Sequence, residues 1–453
     1  MSQVVAASFR HGIHPAEHKE ATEHLPIERM PFVDTYVLPL SQHIGAPCKP
    51  VVKAGDRVRR GQVVAEPGGF VSTTLHSPVT GRVKDIGPRH HPNGNALQPA
   101  LEIEADPFSD QRFEERPPLD WRALSDESFV LHLQRAGLVG MGGAAFPTHV
   151  KYKVPEGKTI RTFVVNGCEC EPFLTTDHRL MVERPEAVLR GIEIAATRLG
   201  AEETVIGVEL NKPESIAALE REVERRDGHA GPPVRVAPLR VKYPQGAEKM
   251  LIEALFGTEV PSGKLPLDIG ILVNNVATMA SMADYFDTGR PLIERVITVA
   301  GPGIPRPANL LVPVGTPIRS VVDHCGGLDG DTRELVMGGP MMGMPLASLD
   351  VPVLKGTSGL LAFTEGEADL ANEYTCIRCG RCVEACPQFL NPSRLARLAR
   401  AGRWEEVERF YADDCVECGS CTFACPSGIP IVQLIRVAKS RIREQRAKEK
   451  QGK

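Results

Sequence analysis

Nowhere in the 453 residues is there a run of about 18 apolar side chains, the least that a bilayer-crossing helix needs. The stretch Met1 to Glu20 carries charges and histidines where a secretion signal needs an apolar core, so the expected location is the cytoplasm or its membrane face. Charge of one sign is missing as well. Lys and Arg number 53 against 57 Asp and Glu, a formal net charge of −4, and no global field draws the chain to nucleic acid or anionic lipid. A disulfide framework is also excluded. Of 12 cysteines only Cys48, Cys168, Cys170 and Cys325 lie outside two tight clusters, and clustered thiols in a long chain without an export signal read as metal ligands. The four outliers are expected in cores, and His11, His14, His18 and His24, which lack a compact ligand spacing, at the surface.

What is present is ordinary globular composition, 42% hydrophobic and 24% charged, in a chain long enough for about three domains. Residues 1–35 show little periodicity and read as an extended arm wrapping other parts of the protein. Residues 36–110 carry short alternating strands with Gly and Pro turns. Lys49–Val58 and His76–Val83 look like two halves of a lipoyl- or biotinyl-type β-sandwich. The hairpin that presents a modifiable lysine in that family reads Pro67–Thr74 here and has none, so a docking role is expected. Over 115–295, strand-like runs (Thr162–Asn166, Thr204–Glu209, Val234–Pro238, Asp268–Asn275) alternate with helical ones (Glu214–Arg226, Gly246–Phe256). That alternation predicts an α/β layer with a largely parallel sheet. Residues 296–365 offer strands around one short helix, Ile318–His324, as in a β-grasp module. Residues 366–430 are mostly helical between cysteines, and a basic tail, 431–453, closes the chain. Its stripe Ile431, Leu434, Ile435, Ala438 and Ile442 suits docking to a partner or anionic lipid as well as a solvated terminal helix.

Cys376, Cys379, Cys382 and Cys386 precede Pro387, and Cys415, Cys418, Cys421 and Cys425 precede Pro426. Each set is Cys-x2-Cys-x2-Cys-x3-Cys-Pro, the run of two-cluster bacterial ferredoxins. In such ferredoxins the fourth cysteine crosses over. The resemblance therefore implies one [4Fe-4S] cluster on Cys376, Cys379, Cys382 and Cys425, and another on Cys415, Cys418, Cys421 and Cys386. A pair of structural zinc sites is the alternative, though zinc requires neither this spacing nor the proline.

The densest small-residue stretch, Gly137–Thr148, contains Gly140, Gly142, Gly143 and Ala145 in a formal dinucleotide pattern. That pattern needs a strand before it, yet Asp126–Ala136 reads as a helix. A glycine loop that lets backbone N–H groups approach a phosphate and a flat ring, with Lys151 for charge, or a tight structural turn, remain the readings. Asn166–Pro172 and Asn274–Thr278 each follow a strand, and Tyr243–Glu248 opens a helix. Four such loops at one sheet edge make a crevice.

These loops resemble the FMN- and NADH-binding motifs of the flavoprotein subunit of respiratory complex I. The whole chain resembles the RnfC component of the Rnf (Rsx) electron-transport complex. The implied fold is multidomain α+β: a lipoyl-like sandwich, a Rossmann-like FMN/NADH domain, a β-grasp (SLBB-like) module and a helical ferredoxin domain. The resemblance further implies non-covalent FMN on Gly140, Gly142, Gly143 and Lys151, with Asn166, Asn274 and Asn275 on the ring or ribityl chain. Phe146, Glu171 and Glu248 then fall to the nicotinamide or adenine-ribose contacts, and Glu169 and Gly246 are further cofactor-binding candidates. Cys168 replaces an acidic residue of the complex I pattern, and Ala247-Glu248 its paired glutamates. The implied activity is NAD(H)-dependent oxidoreductase chemistry in an ion-translocating ferredoxin:NAD+ complex. Its partners would be integral-membrane and ferredoxin-like subunits at the cytoplasmic face of the bacterial inner membrane, held peripherally. A soluble reductase such as a cobalamin reductase is the rival.

Overall fold

The computed structural model describes residues 7–94, 96–226, 231–368 and 372–451. The first six residues of the expected arm, 369–371 at the edge of the expected ferredoxin region, and the last two of the tail lie outside the described residues.

A four-stranded sheet at the centre runs in the order Val234–Leu239, Glu203–Glu209, Thr162–Asn166, Ile271–Asn275, and every pairing is parallel. Both faces are covered, so the strands read as near-continuous Val, Ile and Leu. From Thr162–Asn166 the chain moves outward twice, then returns to the other side with Ile271–Asn275. That reversal puts a topological switch between the two strands, with Asn166 and Asn275 paired in register at their C-terminal ends. The expected strand Asp268–Asn275 is shorter in the structure, because Pro266–Ile269 forms a 3-10 turn closed by Gly270 at φ +76°. Helices Pro185–Leu199 and Val276–Thr288 cross closely on one face, where a Cβ on Gly191 would sit 1.9 Å from the Met279 carbonyl oxygen.

The N-terminal sandwich pairs a four-stranded antiparallel sheet (Thr35–Pro39, Leu97–Ala105, Gly81–His90, Arg57–Val58) with a three-stranded one. Alternation sends Leu101 and Ile103 into its core and leaves Glu102 to pair with Lys84 and Arg89. The lysine-free hairpin is docked: Gln134 donates to the Ser72 carbonyl, Thr73 donates back to the Gln134 carbonyl, and His149 Nε2 lies 2.7 Å from the Phe70 carbonyl.

A six-stranded sheet follows the central domain, with helix Ile318–His324 and buried Cys325 in its core. Its edge strand, Ile27–Arg29, comes from the arm and runs parallel to Ala308–Pro313. The arm also bridges Ala7 to Leu239 and Ile13 to Tyr243. His14, His18 and His24 are exposed, whereas His11 is half-buried with Nδ1 2.7 Å from the Glu384 carbonyl.

The C-terminal helices correct one expectation. The stripe of helix Ile431–Gln451 faces neither solvent nor a docking partner: Ile431, Ile435, Ala438 and Ile442 are buried against Leu395, Leu398 and Val407 of the helices between the cysteine runs. Periodicity showed that the helix is two-faced; the core of its own domain takes the apolar face.

Candidate functional site

At the switch point the loops are tied to one another. The Asn166 amide donates to the Gly246 carbonyl at 2.8 Å and accepts from Cys168 N–H. Asn275 caps helix Val276–Thr288 by accepting from Ala277 N–H, and its Nδ2 donates to Asp177 at 2.6 Å. Asn274 donates to the Tyr152 hydroxyl. Lys151, on the short helix Thr148–Tyr152, donates to Glu248 at 3.0 Å and to the Val273 carbonyl.

The glycine loop follows helix Asp126–Arg135, so no strand precedes it. It closes on itself through Gly140 N–H to the Phe146 carbonyl and Ala145 N–H to the Gly140 carbonyl. Gly142 faces the Asn275 side chain, with a built Cβ 3.7 Å away, while Gly143, at φ +102°, has nothing within 4 Å of that position. The turn Gly142–Ala144 is exposed, so backbone there is open to an approaching flat group. Asp177 Oδ1 and both amide atoms of fully buried Gln245 have no protein partner. The Asp177 oxygen, one hydrogen bond from the Asn275 side chain that faces Gly142, leaves unmet polar capacity beside an open glycine turn, which fits a polar, planar ligand.

The structure does not bring every expected residue to that opening. The Glu169 carboxylate is taken up by Thr176 and by Asp177 and His178 N–H at the start of helix Thr176–Glu183, next to Lys19 and Lys212. The Glu171 carboxylate accepts from Met341 and Met342 N–H, and burial pushes its pKa up to about 7. Phe146 is half-buried and contributes its carbonyl to the loop closure. Cys168 and Cys170 are raised by burial; Cys170 accepts from Gly246 N–H at 3.3 Å.

Several residues escaped the sequence reading. Lys19 of the arm inserts its ammonium among the carbonyls of Glu169, Glu171 and Leu174. Arg295 donates to the Met141 and Thr357 carbonyls. Buried Lys355 donates to the Thr74 and Gly137 carbonyls, joining sandwich to glycine loop, and burial brings its pKa down to about 8. None belongs to a spacing motif; each is a lone cation whose partners are backbone carbonyls.

The cysteines fall into two groups. Cys386, Cys415, Cys418 and Cys421 line one cavity, the first run giving its fourth cysteine to the second. Cys382 lies near Cys425 and Cys379. Tyr243, three residues before Gly246, donates its hydroxyl to the Cys418 carbonyl at 2.6 Å. Among the described residues no three His, Cys, Asp or Glu side chains converge on a single-ion position.

Residues 7–107 match the family model of the RnfC barrel sandwich hybrid domain, 133–284 the Nuo51 FMN-binding domain, 296–345 the SLBB domain and 375–430 the 4Fe-4S dicluster domain. The C component of the proton-translocating ferredoxin:NAD(+) oxidoreductase complex of Clostridium ljungdahlii is 44% identical over 89% of this chain and 87% of its own. The C component of the Na(+)-translocating ferredoxin:NAD(+) oxidoreductase complex of Acetobacterium woodii is 42% identical over 90% of each. A solved NAD+-reducing [NiFe]-hydrogenase in the H2-reduced state aligns remotely, over 73% of this chain and 64% of its own, at 20% identity and a TM-score of 0.48. With four domain matches in the expected order and relatives that similar along nearly the whole length, the chain belongs to the RnfC family, the C components of the ion-translocating (Rnf) ferredoxin:NAD(+) oxidoreductase complexes.

Proposed function

We propose that this chain is the peripheral electron-input or electron-output subunit of a membrane-bound ferredoxin:NAD+ oxidoreductase. It exchanges hydride with NAD(H) at the switch-point crevice and single electrons with protein partners through its cysteine runs. The observation that carries this reading is the tie between the two sites: Asn166 holds Gly246, and three residues earlier Tyr243 holds Cys418. Bound FMN would supply the conversion between two-electron hydride chemistry and the one-electron chemistry of iron–sulfur clusters.

The residues divide that work. Gly140, Gly142 and Gly143 leave backbone open to the flavin, Lys151 offers charge to its phosphate by sharing the Glu248 contact, and Asn166, Asn274 and Asn275 fix the ring or ribityl chain. Phe146 and Gly246 border the nicotinamide side. Glu169 and Glu171 act one layer back, holding the loop. Cys376, Cys379, Cys382 and Cys425 take one [4Fe-4S] cluster, and Cys415, Cys418, Cys421 and Cys386 the other. The shared cavity of the second set supports this crossed pairing.

Among the described residues no helix is long and apolar enough to cross a membrane. Ion movement therefore falls to integral-membrane partners, with this chain held at the cytoplasmic face through them and through a ferredoxin-like subunit. A soluble reductase of the cobalamin type would use the same site; co-purification with membrane subunits separates the two. The direct test is anaerobic purification with iron, sulfide and flavin analysis, then NADH titration followed by EPR. One flavin bleached by NADH and two reduced cubane signals are expected, and a preparation without flavin rejects the assignment.

A further inference from the structure

Helices Thr176–Glu183 and Val276–Thr288 lie side by side behind the glycine loop. Ala277, Ala280 and Ser281 repeat at helical spacing along the second, and side chains that small leave a gap beside Leu180 of the first. The gap is a cavity of about 70 Å³, room for about five waters. Met141 of the glycine loop and Asp177 line its inner end, and the ion pair Arg184–Asp284, 2.6 Å long with the arginine side chain 39% exposed, lines its outer end. Along the helix from Asp177 to Arg184 the canal therefore runs about 10 Å.

One oxygen of Asp177 is spoken for: Oδ2 accepts from Asn275 Nδ2 at 2.6 Å, and the Asn275 side chain faces Gly142. Oδ1 has no protein partner, although the residue is only 7% exposed. A buried carboxylate with one oxygen unmet is costly, and a proton relieves it. Burial first, then the Glu169 carboxylate that accepts from Asp177 N–H, push its pKa up to about 7, against the pull of Arg295 and Lys212. The other charged groups nearby have partners of their own: Glu294 has Arg29 and Arg60, Arg290 has Glu115, and Lys19 has backbone carbonyls. His178 rests on Ser215, and burial favours its neutral form.

Resting on the flavin reading above, we propose that Asp177, a positioning residue acting through Asn275, binds a solvent proton delivered along this canal whenever the flavin is reduced and releases it on reoxidation. Hydride leaves NADH as NAD+ forms and adds to FMN, giving FMNH−. One H+ from solvent joins the Asp177 carboxylate, giving the neutral acid, and the reverse reaction returns both. The coupling is electrostatic, since a new anion beside Asn275 raises the proton affinity of the carboxyl behind it.

The test is redox titration of the flavin in the anaerobic full-length holoprotein across pH. Between about pH 7 and about pH 8.5 wild type should take up two protons per two electrons, one on the flavin and one on Asp177. Asp177→Asn keeps an acceptor for Asn275 and should take up one. Its midpoint potential should match wild type at about pH 6, where Asp177 is protonated in both redox states, and exceed it at about pH 8.5. Both cubane EPR signals certify the variant. Infrared difference spectra of wild type cover the case in which it does not fold: a carboxylic acid C=O band should appear on flavin reduction. In Ala280→Leu, which fills the canal and leaves Asp177 in place, that band should lag behind flavin bleaching by NADH. Equal proton counts in wild type and Asp177→Asn, or no new acid band, overturn the proposal, and an Ala280→Leu band without lag overturns the route. If NADH fails to bleach the wild-type flavin at all, the functional reading falls; equal counts on a bleachable flavin sink only the role of Asp177.

Discussion

The two cysteine runs share every spacing and the trailing proline, yet the protein surrounds them with opposite environments. The first is solvent-facing and arginine-rich; Cys376 is held below the usual thiol range by the Arg378 backbone N–H and the Ser393 hydroxyl. The second is buried and acidic nearby, with Asp413, Asp414 and Glu417, and burial pushes Cys415 up to about 11. Motif spacing sets what a run can ligate, while packing sets which partner it faces. The inner run is bolted to the rest of the molecule: Tyr243 reaches Cys418, Lys439 reaches the Cys415 carbonyl, and Arg436 reaches the Glu417 carbonyl.

Removing single thiolates should break the comparison most visibly. Both Cys379→Ala and Cys418→Ala should lose one cubane signal, with iron roughly halved. In Cys379→Ala the surviving cluster should still be reduced by NADH, and in Cys418→Ala it should not, as freeze-quench EPR would read. The opposite pattern would reverse the inner and outer assignment. Next comes the helix beneath the inner run. Ile435→Asp puts a charge at a position 1% exposed and should cost about 3 kcal/mol or more of domain stability in urea unfolding.

A matched glycine pair sharpens the contrast further. Gly380 and Gly419 occupy equivalent positions at φ +82° and +81°. A Cβ on Gly380 meets nothing within 4 Å, whereas one on Gly419 lies 2.8 Å from the Met341 carbonyl oxygen. Gly380→Ala should therefore cost about 1 kcal/mol from backbone strain alone. Gly419→Ala should cost about 2–3 kcal/mol and shift the midpoint potential of one cubane.

Glu171, whose carboxylate holds the Met341–Met342 turn against the inner run, gives a pH signature. Its folded pKa is raised from 4.5 to about 7, so between those values the unfolded chain gives up its proton first and unfolding is favoured as pH rises. Thermal stability should decline by about 2 kcal/mol across that window, and Glu171→Gln should flatten the decline. The smallest effect belongs to Val437→Asp, on the exposed face of the same terminal helix as Ile435. It should change stability by no more than about 0.5 kcal/mol.

The parts that were readable in advance are those whose chemistry dictates spacing or whose strands repeat with a period. The eight clustered cysteines, the glycine-rich loop behind a helix, the asparagines ending two strands and the α/β alternation all fall in that class. Four modules in order were likewise visible as changes of period and turn content. The fate of the stripe from Ile431 to Ile442 was not, because amphipathicity tells that a face will be covered and not by what. Glu169 and Glu171 read as ligand carboxylates because a strand end invites that role; their protein partners, the helix start at Thr176 and the distant Met341 turn, carry no motif that announces them. Lys19, Arg295 and Lys355 left no trace, since a lone side chain bonded to a distant carbonyl has no local pattern.

The arm packs against segments that lie far downstream of it. Its contacts reach Leu239, Tyr243, Asn309 and Glu384, the last 373 positions downstream, so residues 7–29 cannot seat completely until most of the polypeptide exists. Loop closure over such separations is slow, and the segment remains open to proteases until it locks. Acquired resistance of this stretch to limited trypsin digestion thus offers a clock for maturation, one that strikes only when the three modules it touches have come together.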